Sequence, residues 1–580
     1  MLGLLTVALL TAAPAPLTTL AERSGWTQTG RYEEVEALCH AFARRYPKSV
    51  RCEQFGTTPE RRPMLALVAS ADGTLDSRSA RARHRPVVLF QGGIHAGESD
   101  GKDAGFWLLR ELLEGKALPG VLKKVTAVFV PVFNVDGHER FGKNNRPNQN
   151  GPAEMGWRVT AQNLNLNRDY VKADAPEMQA MLRWLNKWDP LLLIDLHVTD
   201  GAQFQPDVSV LLEPNLVGPQ AMREVGRRAQ LGIFDELRKE GHQPLEFYPS
   251  FVREDDPSSG FAQGIAPPRF SQSYWPSRNR FAVLVETHAW KDYATRVKTT
   301  RDVVLAFLER AAEHGDAWAK AAKAADVSDR AEAKTNLPLA WTNAAGQTAI
   351  DFPGYAYVRK PSPISGELGI TYDVKKPQLW HVPYFPQVKP LLSVNAPKAG
   401  WVVPVAEAKW VRTKLDLHGF RYTVLKRAAT LPVQAYRATG IHFDAGSYEG
   451  HQRLTTVGAW HREAQPVPAG SLFVPVKQRG QALLAQLFTP NAPDALMSWG
   501  FFNASFEQKE YIEPYVLEPW AEALLAKDPK VKEAFDARLK DPAFAHNPKA
   551  RLRFFAELHP SWDSHFGLYP VFQVDAVPGR

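Results

Sequence analysis

Five short segments between residues 86 and 285 constrain this chain most. Pro86 to Gln91 (PVVLFQ), Val125 to Phe133 (VTAVFVPVF), Leu191 to Leu196 (LLLIDL), Val208 to Leu212 (VSVLL) and Phe281 to Val285 (FAVLV) are apolar at almost every position. A strand with one wet face alternates apolar and polar residues, whereas a strand covered on both faces need not, so these runs suit a sheet sandwiched between helices. Gly101 to Leu113 supplies one such cover. Ala104, Leu108 and Leu112 fall on one row, Gly105, Leu109 and Leu113 on the next, and Arg110, Glu111 and Glu114 face outward. Strands alternating with helices predict an α/β domain with a mixed, largely parallel sheet flanked by helices, closed by an amphipathic helix over about Lys298 to Ala325.

After Glu332 the rhythm changes. Aromatic residues, prolines and strand-like stretches (Ala356 to Val358, Phe420 to Leu425, Gln434 to Ala438, Ser471 to Val476) replace it, and Glu507 to Leu558 is helical again. The expected organisation is a signal peptide over 1–22, a catalytic domain over 23–330, and a β-rich accessory domain with C-terminal helices over 331–580. Tryptophans in a β domain usually belong to its core, so the accessory part reads as structural rather than as a wall-binding module. There is no internal repeat and no low-complexity segment.

Composition excludes several classes. Among 580 residues, 44% are hydrophobic and 23% charged, which fits neither a disordered chain nor a multi-span membrane protein. The net charge of +8 comes from 70 Lys+Arg against 62 Asp+Glu, with no basic block to track a phosphate backbone, so no nucleic-acid partner is expected. Residues 1–20 carry no charge and begin with an apolar run from Leu2 to Leu10, the pattern of a secretory signal; the absence of Lys or Arg before Arg23 and the prolines Pro14 and Pro16 depart from it. Export to the periplasm or the exterior, without stable membrane insertion, is the expectation. Cys39 and Cys52, the two cysteines, exclude a disulfide scaffold and a Cys-ligated zinc site. In an oxidising compartment they either pair or remain two thiols. Any metal is left to His and carboxylate ligands. Oligomeric state is open.

The chemistry sits at the ends of the apolar runs. His95 and Glu98, in Gly92-Gly93-Ile94-His95-Ala96-Gly97-Glu98, follow the first run directly; His197 ends LLLIDLH and Glu286 ends FAVLVE. Open α/β sheets place ligands at the carboxyl edge of their strands, and parallel strands bring those ends together. Two imidazoles and a carboxylate can hold one zinc with a fourth position left for water, and a further carboxylate beside it can serve as a general base.

The order HAGE, WRVTAQNLNLNRDY, DLH and VET resembles the M14-type zinc carboxypeptidases over about residues 32 to 297. The resemblance implies one zinc per chain held by His95, Glu98 and His197, with Glu286 as the base acting on the metal-bound water. It implies that Arg158 stabilises the oxyanion and that Asn167 and Arg168 hold the substrate's terminal carboxylate, a role suited to the fixed fork of a guanidinium. Asn134-Val135-Asp136-Gly137 is similar to a structural turn of that family. Two departures stand out. A negative charge, Asp169, follows the carboxylate clamp, and the family's substrate-capping tyrosine has no secure match, Tyr274 being the best candidate. His288 reads as structural. The implied substrate is a peptide.

Other readings stay open at this point. A zinc enzyme cleaving peptidoglycan stem peptides would use the same residues. Gly97-Glu98-Ser99-Asp100-Gly101 satisfies G-x-S-x-G between a strand and a helix, so a serine hydrolase using Ser99 is a second possibility, although it leaves Arg158, Asn167, Arg168 and Glu286 without roles. A non-catalytic binding protein is the third, and the presence of all four metal-site and base residues argues against it.

Overall fold

A computed structural model describes residues 17–579. The expected signal peptide therefore lies outside the described residues as far as residue 16. Residues that follow are packed: Thr19 caps the short helix Leu20–Arg23 and Glu22 pairs with Arg110.

The strands of the first half are β1 (Val50–Thr57), β2 (Pro63–Ala69), β3 (Val87–Gln91), β4 (Thr126–Val130), β5 (Leu192–Val198), β6 (Val208–Glu213), β7 (Pro244–Leu245), β8 (Phe261–Ala262) and β9 (Phe281–Thr287). All but β8 form one sheet in the order β1-β2-β4-β3-β5-β9-β6-β7. Strands β4, β3, β5 and β9 run parallel, while β1 and β2 are an antiparallel edge. All five residues of β3 and of β4, and all seven of β5 and of β9, are buried, which is why these stretches need no polar alternation. Strand β6 runs antiparallel to β9. The segment 199–207 is too short for the crossover a parallel strand requires.

Helices close both faces. The helix Asp100–Glu114 starts just after the 92–98 turn and stops at Gly115, whose φ of 70° supplies the left-handed cap that residues with a Cβ disfavour. The last helix of this half, Tyr293–Ala331, packs against it and against Gln220–Lys239. A disulfide joins Cys39 on the helix Tyr32–Arg45 to Cys52 on β1. No helix among the described residues is long and apolar enough to cross a membrane.

The second half adds long antiparallel hairpins. Thr348–Pro361 pairs with Leu368–Phe385, and the far end of the latter pairs with β8. Ala429–Tyr448 pairs with His451–Val467. One apolar core runs from the sheet of the first half into residues of the second, including Trp401, Val411, Leu472 and Leu484. Trp380, Trp401 and Trp499 are buried, so these tryptophans are core residues. The terminal helices, from Pro514 to Ala556, enclose a small core of their own around Leu517, Phe535 and Phe555.

A buried ion triad ties three elements of the first half together. His242 Nδ1 lies 2.6 Å from Asp207 Oδ2 and its Nε2 3.1 Å from Asp302 Oδ2. Burial works against the charged ring, but the two carboxylates outweigh it and raise His242 to about 9. A raised folded-state value means stability that is fully present below the unfolded value of about 6.5 and lost as pH climbs through 9. The stability difference between the native chain and His242→Gln, from urea melts, is expected to be on the order of 2 kcal/mol below pH 6 and to shrink across pH 6.5 to 9. A difference independent of pH would contradict the charge assignment.

Candidate active site

The turn 92–98 leaves β3 at the carboxyl edge of the sheet and delivers His95 and Glu98 to the place where β5 ends. His95 Nδ1 and His197 Nδ1 each lie 3.0 Å from a different oxygen of Glu98. The three donor atoms lie within 4.8 Å of one another and all three residues are buried. In β-pairing register, His197 stands opposite Glu286, so a second carboxyl group flanks the same point. The donors fit a zinc ion in type and in spread: two imidazoles and a carboxylate. Behind His197, Asp195 Oδ2 lies 2.9 Å from Nε2, which sets a buried carboxylate against the far side of the ring.

The electrostatics also call for a cation. Burial lowers His95 to about 4, keeping the ring neutral and available as a ligand. Glu98 is held well below the usual carboxylate range: burial opposes this, and His95, Arg146 and His197 outweigh it. His197 is held well above its ordinary value by Asp195 and Glu98 despite burial. Burial raises Glu286 to about 8; His197 opposes the rise, while Glu98, Asp200 and Asp195 add to it. A dication here would take the place of the protons that these groups now share.

Arg146 escapes sequence reasoning. Its Nη2 lies 3.0 Å from Glu98 Oε1 and 3.5 Å from Asp200 Oδ1. The guanidinium arrives over Gly97, where a Cβ would stand 2.6 Å from Arg146 Cγ. The glycine was a visible signal of close approach, but nothing in an aperiodic loop 49 positions away pointed to its partner.

Arg158, Asn167 and Arg168 line one cavity with the metal cluster and Glu286, a space of about 520 Å3. Arg158 is 34% exposed, with Nη1 3.9 Å from Glu98 Oε1. Asn167 is buried with its Oδ1 atom lacking a partner. Arg168 stacks on Phe270 at 4.2 Å and donates from Nε to Tyr448 Oη at 3.2 Å. Asp169, the departure from the family pattern, points away: it accepts from Lys172 Nζ at 2.6 Å and from the backbone of Ala175 at 2.9 Å, stapling the turn.

Tyr274 does not reach the cavity. It is 0% exposed and its hydroxyl lies 2.9 Å from His418 Nδ1, because the short helix Ser271–Tyr274 turns that side chain into the core against Tyr170. The tyrosine that lines the cavity is Tyr248, close enough to Glu286 and Glu98 for their charges to raise its hydroxyl, although burial raises it more. Ser99 is 2% exposed, and its Oγ has no hydrogen-bond partner, so no histidine activates it. That removes the serine-hydrolase reading. His288 stacks on Phe204 at 4.0 Å and is a packing residue.

Residues 35–209 match the family model described as zinc carboxypeptidase. Carboxypeptidase A4 from Mus musculus is 32% identical over 132 residues, 22% of this chain and 30% of that protein. Carboxypeptidase B from Astacus astacus is 26% identical over 114 residues, covering 20% and 35%. The matched segments thus span about a third of these relatives' own length. Among solved structures, the carboxypeptidase A from Helicoverpa armigera gives a TM-score of 0.35 at 16% identity, covering 51% of this chain and 74% of that one. Bovine thrombin-activatable fibrinolysis inhibitor, in complex with tick carboxypeptidase inhibitor, gives 0.36 at 16% identity, covering 50% and 97%.

Dialysed protein is expected to take up one zinc per chain, with a stability gain of about 2.7 kcal/mol at a hundredfold excess over Kd. His197→Ala should abolish both uptake and gain, as read by metal analysis and thermal melts.

Proposed function

We propose that this chain, whose residues 35–209 match the family model described as zinc carboxypeptidase, removes C-terminal residues from peptides. The observation that carries the reading is the convergence of His95, Glu98 and His197 on one point with Glu286 beside it. His95, Glu98 and His197 would hold the zinc. When bound, the metal acidifies a water and polarises the scissile carbonyl.

The remaining work falls to side chains of this chain. Burial and the neighbouring carboxylates raise the basicity of Glu286; ionised beside a bound dication, it would be suited to take a proton from the attacking water and pass it to the leaving amine. Arg158 faces the same space and donates to the oxyanion that develops on the carbonyl; losing such a donor typically costs on the order of 10² to 10³ in rate. Asn167 and Arg168 hold the terminal carboxylate. Phe270 beneath the guanidinium and Tyr448 at its Nε restrict its motion, so the hairpin of the second half acts on the clamp directly.

Export fits the Cys39–Cys52 disulfide, since such bonds persist in oxidising compartments. The packed helix at Leu20–Arg23 favours removal of a leader upstream of Leu17 rather than at residue 22.

Peptides with free and amidated C-termini test the clamp. Amidation is expected to lower kcat/KM by on the order of 10², the worth of a charge-assisted pair of hydrogen bonds. Equal cleavage of both would refute an exopeptidase and favour internal cleavage, as in peptidoglycan stem peptides. Tyr448→Phe is expected to raise KM about fivefold for free-acid peptides with kcat unchanged, the loss of one solvent-exposed hydrogen bond from the Arg168 guanidinium. A fall in kcat alone would remove Tyr448 from the clamp.

A further inference from the structure

Outside the metal cavity, an unfinished sheet edge lies beside a groove. Strand β1 ends the eight-stranded sheet and pairs with β2 alone. Ser70 donates its backbone N–H to Ser49 O at 2.9 Å, and in the register that follows Arg51 faces Val68 and Glu53 faces Ala66. Residues of an antiparallel pair alternate between those that exchange bonds across the ladder and those that do not, so Cys52 and Gln54 turn their N–H and C=O groups to the free side. Among the described residues nothing bonds to them there. Beside this edge runs a groove of about 490 Å3, walled on one side by residues 53–57 and on the other by Gln179, Ala180, Arg183, Trp184 and Lys187, one face of the helix Pro176–Trp188. A helix that only shields an edge closes against it. Here closure occurs at Gly56, where a Cβ would stand 2.7 Å from Ala180 Cβ.

The charge in the groove is not balanced. Lys187 Nζ lies 2.6 Å from Glu53 Oε1, which also accepts from Trp184 Nε1 at 3.3 Å, so the carboxylate that lines the groove is taken. Arg183 is exposed, and among the described residues it forms no ion pair. We propose that this groove docks an extended, acidic segment of a partner polypeptide, which adds to the sheet as a further strand beside β1 and sets a carboxylate against Arg183. Open strand edges are met in this way, with backbone bonds supplying affinity and alternate side chains specificity. Every second side chain of the added strand would face the helix, where Arg183 and Lys187 disfavour a basic residue. Ala180 and the stacked rings of Phe55 and Trp184, 4.7 Å apart, offer apolar surface to its neighbours. Docking here is independent of peptide hydrolysis, since the groove and the metal cavity share no residue.

The test uses fluorescein-labelled, C-terminally amidated octapeptides of alternating Val and Glu, or Val and Lys, titrated against the full chain and followed by anisotropy. The acidic peptide is expected to bind at least about tenfold more tightly than the basic one, and Arg183→Glu, a change on an exposed helix face, to weaken the acidic peptide by about tenfold. Methylating the peptide nitrogens that face β1 should cost about tenfold more, through the hydrogen bonds it removes. Amide hydrogen exchange at Cys52 and Gln54 should slow in the complex, an effect that an electrostatic contact with Arg183 alone would not produce. Unchanged affinity in Arg183→Glu, unaltered exchange at both amides, or no binding of the acidic peptide at millimolar concentration would overturn the proposal. Binding confined to the zinc-loaded chain would place the peptide in the metal cavity and overturn it as well.

Discussion

The pairing of β5 with β9 is the constraint on which the site depends. The two strands run parallel, with Asp195 opposite Leu284 and His197 opposite Glu286. Residues of a strand alternate between faces, so a slip of one position would turn Glu286 to the other face, away from both His197 and Asp195. Burial on both faces holds the register, because every residue of both strands packs against side chains on one side or the other. The neighbouring pairing of β3 with β5, which sets Gln91 opposite Asp195, fixes the level at which the chain leaves β3 for His95 and Glu98.

Around that point the protein gathers charge it cannot hydrate. Glu98 is shared between two histidines and Arg146, while Glu286, Asp195 and Asp200 stand close by. Buried charges persist where they are paired or bind metal, and breaking one member out of such a set leaves its partners exposed to the full desolvation penalty. Gly97 belongs to the same arrangement although it carries no chemistry: its missing Cβ is the space through which Arg146 reaches Glu98.

The second half of the chain buttresses the site from behind. Glu449, at the tip of the hairpin after Tyr448, accepts from the backbone N–H of Asn165 at 3.2 Å; His451 and Lys414 both contact Asp174; His418 lies 2.9 Å from the carbonyl oxygen of Val171. The whole 165–174 turn, which presents Asn167 and Arg168, is thereby backed by residues 240 or more positions away. The other long hairpin pairs with β8, the strand leading into Gln263 and the cavity rim.

Local sequence determined much of this protein. Uniformly apolar runs mark strands buried on both faces, and a His or Glu placed directly after such a run must emerge at the sheet edge; that is why His95, Glu98, His197 and Glu286 were legible without coordinates. Tertiary structure decided the rest. The direction of β6 followed from a connection too short to cross over. The disulfide needed Cys39 and Cys52 on packed elements, and the inward turn of Tyr274 depended on His418, far along the chain. Arg146 and Tyr248 carry no periodic or spacing signal, since residues of separate loops meet only after the sheet has closed and brought those loops together. Periodicity records which face of an element is buried, whereas the identity of what it is buried against is set by long-range packing, and no local pattern encodes that.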